Sequence, residues 1–378
     1  MNKIAFSGSL DPITNGHLWV IGEARALADE VVVFISENPL KAPQFPAERR
    51  RRIVEQSLAE RGWNNVSVVV VKGDYTARAA KRHGIDYLVR GIRNTTDFDY
   101  ENLLQQANVD VLQGAKTIFV MPPRDLGAVS STFVRALQGP VGWHWSMQKF
   151  VPGAAYAAWI LDWLRKDWEK LWQYATLSAE AAANADHWFA HLTGEQAYGA
   201  PRRSYHNLDH LVHGLSEIAV WAANAGADAE AVATLKKAFW FHDAVYALPA
   251  REHSNEEASA RLWLTAGLDD ADREAVARLI RLTEHAQQHP ASHPLRDVML
   301  GVDLAILGQT EEVYDAYARS IRAEYSWLDE ASYRSGRKAV LQHFLASAER
   351  GELYADAYFA DLYQAAAHRN LCREIATL

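Results

Sequence analysis

Five short apolar runs in the first third of the chain constrain its fold more than any other feature. They are rich in β-branched residues and mostly uninterrupted, and they are Ile4–Phe6, Glu30–Ile35, Val66–Val71, Tyr87–Val89 and Thr117–Met121. Helical stretches separate them, at Leu18–Ala28, Ala47–Glu60, Tyr75–His83 and Asp99–Leu112. Uninterrupted apolar strands that alternate with helices predict a doubly wound α/β domain with a parallel sheet covered on both faces. Ligands of such a domain bind at the carboxyl ends of the strands.

The second half of the chain shows a different pattern. Strand signals stop near Val134, and from Thr176 to Leu378 the sequence is rich in Ala, Leu and Glu, which predicts helices throughout. A helical stretch between these parts carries four tryptophans, Trp159, Trp163, Trp168 and Trp172. Its charges are mixed in sign, which favours a packed helix joining two domains over a helix lying on a membrane. We therefore expect an α/β domain at residues 1–162 and an all-α domain at residues 163–378.

Composition narrows the function classes. The 378 residues carry a formal net charge of -8, which disfavours nucleic acid as a partner because phosphate backbones are bound by basic surfaces. The single cysteine, Cys372, excludes an internal disulfide and a cysteine-based metal cage. No apolar run is long enough to span a membrane, and the first residues do not resemble a signal peptide. The expectation is a cytoplasmic enzyme with no membrane or nucleic-acid partner.

The stretch Gly8–His17 joins the first predicted strand to the first predicted helix. Backbone N–H groups at a helix start, together with the helix dipole, attract anions, and glycines let the chain approach a ligand closely. Lys41, Arg90 and Arg93 follow the second and fourth predicted strands, and Ser130–Thr132 precede another helix start. Because strand ends of a parallel sheet share one edge, we expect the histidine and these cations to converge. Cations beside two helix starts suit a polyphosphate.

These segments resemble one enzyme family. Gly8–His17 is similar to the G-[ST]-F-D-P-x-T-x-G-H signature of nucleotidyltransferases. Arg90–Arg93, followed by Asp97–Glu101, resembles the RGLR…DFEYE stretch of phosphopantetheine adenylyltransferase, and Val129–Thr132 resembles the I-S-S-[ST] segment of that family. The resemblance implies a Rossmann-like nucleotidyltransferase domain that transfers AMP from ATP, with Mg²⁺, to 4′-phosphopantetheine, giving dephospho-coenzyme A and pyrophosphate. It also implies a homo-oligomer.

The resemblance implies roles for individual residues as well. Three would be catalytic: His17 would stabilise the transition state at the α-phosphate, Lys41 would hold the attacking phosphate, and Arg93 would hold the leaving phosphates. The residues expected at 4′-phosphopantetheine are Ser9, Lys41, Thr76 and Arg90. The residues expected at ATP are Ser9, Leu10, His17, Gly91, Ile92, Arg93, Glu101, Ser130, Ser131 and Thr132.

The helical part carries histidines and aspartates in a suggestive order. His206 and His210 stand at i and i+4, a spacing that puts both on one face of a helix. Further on come the pair His242-Asp243 and, within an apolar helix, Asp303. A buried carboxylate needs a partner, and a metal ion is such a partner. Histidines and aspartates together form a nitrogen–oxygen ligand set suited to Mn²⁺, Fe²⁺ or Mg²⁺.

This order resembles the HD superfamily of metal-dependent phosphohydrolases. Tyr205-His206-Asn207 is also similar to the start of the cyclic-nucleotide phosphodiesterase site. The resemblance implies an all-α HD domain that acts on an unknown phosphate ester, with His206 as proton donor to the leaving oxygen. The ligands that it implies for a divalent metal (Mn, Fe, Mg or similar) are His210, His242, Asp243 and Asp303.

Two other interpretations stay open. The first keeps the adenylyltransferase fold but changes the acceptor, for example to nicotinate mononucleotide or a cytidylyl-transfer substrate; the segment Arg90–Glu101 speaks against it. In the second, the helical domain is a regulatory module that senses a nucleotide or coenzyme A without hydrolysing it. The retained histidines and aspartates speak against that interpretation.

Overall fold

The computed structural model of the protein describes residues 2–37, 42–111, 114–249, 253–269, 271–284 and 292–378. The chain divides into two compact units, Met1–Trp159 and Ile160–Leu378. Each unit is described by itself below. Lys41, expected to be a catalytic and substrate-binding residue, lies outside the described residues.

The first unit is built on a parallel sheet. Its strands are β1 (Lys3–Gly8), β2 (Glu30–Ser36), β3 (Val66–Val71), β4 (Tyr87–Gly91) and β5 (Lys116–Val120). They form one five-stranded sheet in the order β3-β2-β1-β4-β5, and every neighbouring pair is parallel. This confirms the parallel α/β prediction. The strand order reverses direction between β1 and β4, the point at which ligands bind in open α/β sheets.

Helices flank this sheet in the first unit. They are α1 (Asn15–Leu27), α2 (Ala47–Glu60), α3 (Thr76–Arg82), α4 (Thr95–Gln106), which continues into a π-helical turn (Ala107–Val111), α5 (Ser131–Ala136), α6 (Trp143–Gln148) and α7 (Gly153–Leu171). The division between the units falls within the residue range of α7. Helix α4 begins four residues before its predicted start at Asp99, because the Asn94 side chain accepts the Asp97 N–H and caps the helix there.

The buried centre of the sheet explains its uninterrupted apolar strands. All five residues of Val31–Ile35 in β2 are at most 6% exposed, so both faces of this strand are covered. Each buried Val, Ile or Phe side chain contributes about 1.5–3 kcal/mol relative to an exposed one. Arg50 on α2 is also buried, and its guanidinium donates to the carbonyl oxygens of Ser9, Ser36 and Phe45. One side chain therefore fixes the loops that follow β1 and β2.

The regular secondary structure of the second unit is helical within the residues that the structure describes. Its elements are a 3-10 turn (Tyr174–Thr176), α8 (Ala179–Thr193), α9 (Leu208–Ala225), α10 (Ala229–Phe241), α11 (Asn255–Thr265), α12 (Arg273–Arg281), α13 (Arg296–Leu304), a second 3-10 turn (Ala305–Gly308), α14 (Glu311–Glu324), α15 (Glu330–Glu349) and α16 (Ala357–Thr377). Side-chain oxygens cap many of these helices by accepting a backbone N–H, as Ser178 does for α8 and Asp228 does for α10.

Tryptophans form much of the core of the second unit. Trp168 and Trp240 are fully buried, with their rings 4.9 Å apart and nearly perpendicular. The indole N–H of Trp168 donates to the Ala185 carbonyl at 3.1 Å, and that of Trp263 donates to the Arg273 carbonyl at 2.9 Å. These two buried indoles therefore keep their polar groups satisfied. Among the helices that the structure describes, none combines the length and apolarity needed to cross a bilayer.

Candidate functional sites

The first candidate site lies where β1 and β4 end. The residues after β1 lead into α1, whose first turn is closed by Thr14: the Thr14 hydroxyl accepts the His17 N–H at 3.3 Å. In return, the Thr14 N–H donates to His17 Nδ1 at 3.0 Å. This reciprocal cap starts α1 at Asn15, three residues before the predicted start at Leu18. Sequence reasoning missed Thr14, although a Thr three residues before a polar side chain is a capping signal.

The cap also decides the protonation of His17. Since Nδ1 accepts a hydrogen bond from a backbone N–H, the ring proton of the neutral imidazole belongs on Nε2, which is left as a donor. Desolvation by burial, followed by the charges of Arg93 and Arg90, lowers the pKa of His17 to about 3. At neutral pH this side chain is therefore an uncharged hydrogen-bond donor beside two arginines.

The two arginines are each held by a carboxylate. Arg90 is paired with the buried Glu101 through two hydrogen bonds and also donates to the Ser7 carbonyl. Arg93 donates to both carboxylate oxygens of Asp97, at 2.6 and 3.1 Å. Arg90 lies within β4 and not, as expected, in the loop after it, because the pairing of β4 with β5 continues through Gly91. The carboxylates limit the rotamers of both guanidiniums near His17.

A second helix start lies against the first. Ser130 caps α5 by accepting the Phe133 N–H at 3.1 Å, and the Ser131 hydroxyl donates to the Pro12 carbonyl at 2.8 Å. A Cβ on Gly16 would come within 3.0 Å of the Val129 carbonyl oxygen, so glycine allows this close approach. The starts of α1 and α5 are thus tied together, and their N–H groups provide anion-binding positions.

The other expected residues of this site differ in exposure. Ser9 is exposed and Thr76, the first residue of α3, is half-buried. Leu10 and Ile92 have buried side chains, so any contact they make with a ligand in this conformation comes from the backbone. Leu10 also has a φ of 49°, a left-handed conformation that is costly for a branched residue. The structure brings His17, Arg90 and Arg93 within electrostatic range of one another.

Comparison with known proteins agrees with this geometry. Residues 5–137 match the sequence profile of the cytidylyltransferase-like family. The chain is 36% identical over 156 residues to a phosphopantetheine adenylyltransferase of Chromobacterium violaceum, covering 94% of that protein and 41% of this chain. A phosphopantetheine adenylyltransferase of Streptococcus suis is 39% identical over 132 residues, which are 80% of that protein and 35% of this chain.

The chain belongs to the phosphopantetheine adenylyltransferase family. Relatives of this family are matched over nearly their whole length, whereas the match takes up about two fifths of this chain. The adenylyltransferase family thus accounts for a segment of the size of the first unit, and the helical unit is an addition to it.

The second candidate site lies in that helical unit. Four side chains, here named the His–Asp cluster, converge in it: His210, His242, Asp243 and Asp303. The two histidine Nε2 atoms are 3.1 Å apart. His242 Nε2 lies 3.0 Å from an oxygen of Asp243 and 3.4 Å from an oxygen of Asp303. His210 Nε2 lies 3.6 and 3.5 Å from the same two oxygens.

These distances fit one shared cation. Ligand atoms that each lie about 2.0–2.2 Å from a metal ion are themselves roughly 3–3.5 Å apart. The Nδ1–H of His242 donates to the Phe239 carbonyl at 2.8 Å, which leaves Nε2 facing the cluster. Desolvation by burial, followed by the charge of His242, lowers the pKa of His210 to about 3, so that imidazole is neutral. Desolvation also lowers the pKa of His242, but the carboxylates of Asp243 and Asp303 outweigh it and raise that pKa well above its usual range, so without a metal ion the His242 imidazole is protonated. The donor chemistry therefore suits a divalent ion.

His206 is adjacent to the cluster but not on the expected helix face. Asn207 caps α9 by accepting the N–H groups of Asp209 and His210, so the helix begins at Leu208 and His206 precedes it. The i and i+4 spacing does not produce a shared helix face here. Likewise His242 is the C-cap of α10 and Asp243 follows that helix, whereas sequence reasoning placed the pair on a helix. Tertiary packing still brings His206 Nε2 to 4.0 Å from an Asp243 oxygen.

Glu324 holds His206 in place and was missed from the sequence. Its carboxylate accepts three hydrogen bonds: one from the Tyr205 N–H at 2.8 Å, one from the His206 N–H at 2.9 Å, and one from His206 Nδ1 at 2.7 Å. The pKa of His206 is raised, because the effects of Asp243 and Glu324 outweigh the desolvation that lowers it. The Nε2 of His206 is consequently the free end of an oriented imidazole.

Two more residues brace the backbone around the cluster. Arg203 donates to the carbonyl oxygens of Asp243 at 2.6 Å and Ala244 at 2.9 Å, and the Asp243 N–H donates to the Tyr198 hydroxyl at 3.1 Å. Both groups act on the main chain next to the His–Asp pair. The N–H groups of the Arg203 guanidinium thus donate to backbone carbonyl oxygens. Their roles have no signal in the sequence, because each residue lies 40 or more positions from these partners.

Proposed function

We propose that the α/β domain, predicted at residues 1–162, transfers AMP from ATP to 4′-phosphopantetheine, giving dephospho-coenzyme A and pyrophosphate. The observation that carries this proposal is a neutral, oriented His17 beside Arg90 and Arg93, within a chain segment 36% identical to phosphopantetheine adenylyltransferases. ATP-dependent nucleotidyl transfer of this kind generally uses Mg²⁺, which would accompany the nucleotide.

The chemistry follows from the charges involved. A phosphate oxygen of the acceptor attacks the α-phosphorus of ATP, the bond from that phosphorus to the α–β bridging oxygen breaks, and pyrophosphate leaves. The Nε2–H of His17 would donate to a non-bridging oxygen of the α-phosphate, where negative charge accumulates in the transition state. Arg93 and the start of α5 would hold the β- and γ-phosphates. Ser9, Thr76, Arg90 and Lys41 would hold the acceptor.

An acceptor assay tests this proposal. Purified protein with ATP and Mg²⁺ is expected to release pyrophosphate with 4′-phosphopantetheine and not with nicotinate mononucleotide. CTP in place of ATP serves as the nucleotide control, because the cytidylyltransferase-like profile covers residues 5–137. Pyrophosphate release with nicotinate mononucleotide alone, or with CTP alone, would replace this proposal by the other-acceptor interpretation.

For the all-α domain, predicted at residues 163–378, we propose a metal-dependent phosphohydrolase of the HD type. The observation in its favour is the His–Asp cluster, whose side-chain atoms lie 3.0–3.6 Å apart beside an oriented His206. A divalent ion bound there would polarise a phosphate and lower the pKa of a coordinated water. Its ligands would be His210, His242, Asp243 and Asp303.

The protein residues would supply the remaining steps. His206 Nε2 would donate a proton to the ester oxygen as it leaves, while Glu324 holds the imidazole through Nδ1. Arg203 and Tyr198 would keep the backbone of Asp243 fixed. Desolvation by burial, followed by the charges of Asp243 and Glu284, raises the pKa of Glu256.

Metal analysis with a substrate screen separates hydrolysis from ligand sensing. The wild-type protein is expected to retain a divalent ion and to release phosphate from an ester in a panel of phosphopantetheine, coenzyme A and nucleotides. The variants His242→Ala and Asp243→Ala are expected to lose both properties. A wild type that binds coenzyme A or a nucleotide through this unit but retains no ion and cleaves no ester would establish the sensing interpretation.

A further inference from the structure

Tyr205 presents a buried hydroxyl at the His–Asp cluster. Its oxygen is inaccessible to solvent and has no hydrogen-bond partner among the residues that the structure describes. Its ring lies 5.0 Å from the ring of His210 and 4.8 Å from the ring of His206. Charged groups that act on the hydroxyl include Asp303 and Asp243, both proposed metal ligands. An unpartnered polar group in such a position is costly, so it needs an explanation.

Packing fixes the Tyr205 ring beside the cluster. The ring packs edge-on against Tyr317 with centroids 4.7 Å apart, and the Tyr205 N–H donates to Glu324 at 2.8 Å. Neighbouring phenols are paired: Tyr317 accepts a hydrogen bond from Arg337, and Tyr314 donates to Glu374. Among these three neighbouring phenols, Tyr205 is thus the one whose hydroxyl lacks a partner within the described residues.

The charges around the cluster indicate which ligand atom takes this hydrogen bond. Asp243, Asp303 and Glu324 are carboxylates, which only accept, and the guanidinium of Arg203 is used by backbone carbonyls. A phosphate group has oxygens that require donors, and a phenol donates one strong hydrogen bond to an anionic oxygen. Burial raises the pKa of Tyr205 well above its usual range, so the phenol keeps its proton.

We infer that the Tyr205 hydroxyl donates a hydrogen bond to an oxygen of the phosphate group bound at the His–Asp cluster, an inference that rests on the function proposed for the second unit. Tyr205 would be a phosphate-binding residue in addition to the proton donor His206. In the absence of phosphate, the hydroxyl stays desolvated and unpaired. The unpaired hydroxyl thus increases the affinity for phosphate but lowers the stability of the phosphate-free protein.

Calorimetric titration of full-length protein with Mn²⁺ and then with inorganic phosphate tests this role. The variant Tyr205→Phe removes only the hydroxyl. It is expected to weaken phosphate binding about tenfold, to change Mn²⁺ affinity by less than about twofold, and to melt at an equal or higher temperature without metal. The matched control Tyr314→Phe loses the hydrogen bond to Glu374, so it is expected to melt lower and to bind phosphate as the wild type does.

The outcomes separate this inference from the proposed function. Titration of the Asp243→Ala variant measures the phosphate that binds elsewhere on the chain, and this signal is subtracted from that of the wild type. A wild type that binds no Mn²⁺ refutes the metal centre and with it the role of Tyr205. If the wild type binds Mn²⁺ and phosphate and the Tyr205→Phe variant binds phosphate with the same affinity, the role of Tyr205 is refuted but the metal centre is not. A Tyr205→Phe variant that melts lower without metal shows a structural partner for the hydroxyl and also refutes it.

Discussion

Addition of a divalent ion to metal-free protein is expected to stabilise the second unit strongly. Without a cation, the carboxylates of Asp243 and Asp303 lie within 3.6 Å of the Nε2 atoms of His210 and His242 in a largely buried position. In the metal-free protein the counter-charge of these carboxylates is a proton on His242, whose pKa they raise well above its usual range, and a divalent ion that binds there would displace that proton. In the unfolded chain the four side chains are separated and fully hydrated, so an ion binds the native state preferentially.

Mass action sets the size of this effect. An ion that binds only the native state contributes about 2.7 kcal/mol when its free concentration is 100 times the dissociation constant. For domains of roughly 150–250 residues, each kcal/mol raises the melting temperature by about 2–4 °C. The expected increase is therefore about 5–11 °C, and each further tenfold rise in concentration adds about 1.4 kcal/mol, or roughly 3–6 °C.

Scanning calorimetry over a series of Mn²⁺ concentrations measures this increase. The control is Asp243→Asn, which keeps the shape of the side chain but removes one charge from the cluster. It is expected to show less than about half the Mn²⁺-dependent increase of the wild type. Equal increases for the wild type and Asp243→Asn would refute the reasoning, because the ion would then be bound somewhere other than the His–Asp cluster.

Three further outcomes are expected. Replacing His17 by Ala should lower kcat for AMP transfer by a factor of about 10²–10³, the usual loss for a transition-state donor. The pH–rate profile of the wild type should show no inflection from this residue between about pH 5 and 8, since its pKa is about 3. Gly16→Ala should raise KM for ATP and destabilise the protein by about 1–3 kcal/mol, because its Cβ would press on the Val129 carbonyl at 3.0 Å. In the control Gly22→Ala, the Cβ meets only the Trp63 ring, at 3.4 Å. The melting temperature of this control should therefore stay the same or rise slightly. Glu324→Gln should lower kcat for ester hydrolysis at least tenfold with little change in KM, and equal kinetics for this variant would refute its positioning role.

Local sequence was sufficient for the elements that depend on nearby residues. The strand Val66–Val71 and the helix Ala47–Glu60 have the predicted bounds, because burial of apolar side chains and helix periodicity act within a few positions. The start of α1 was misplaced by three residues, since the cap depends on the side chain of Thr14 accepting a backbone N–H, which apolar periodicity does not reveal.

The first site was more accessible to sequence reasoning than the second. His17 follows β1, Arg90 lies near the end of β4 and Arg93 follows β4; these two strands are adjacent in the parallel sheet, so the topology itself brings the three residues together. The ion pairs Arg90–Glu101 and Arg93–Asp97 were not predicted, because the sequence shows which residues are charged but not which of them form ion pairs.

For the helical unit, the sequence by itself determined which ligand types are present and that they lie in or beside helices. Only the tertiary structure decided their geometry: it put His206 before α9 instead of on it, and it brought Glu324 to 2.7 Å from His206 across 118 positions of the chain. The physical reason is that hydrogen bonds between distant residues depend on how the helices pack, and packing is a property of the whole buried core. Residue types and spacing fix the local backbone, whereas the partner of each polar side chain is fixed by the fold.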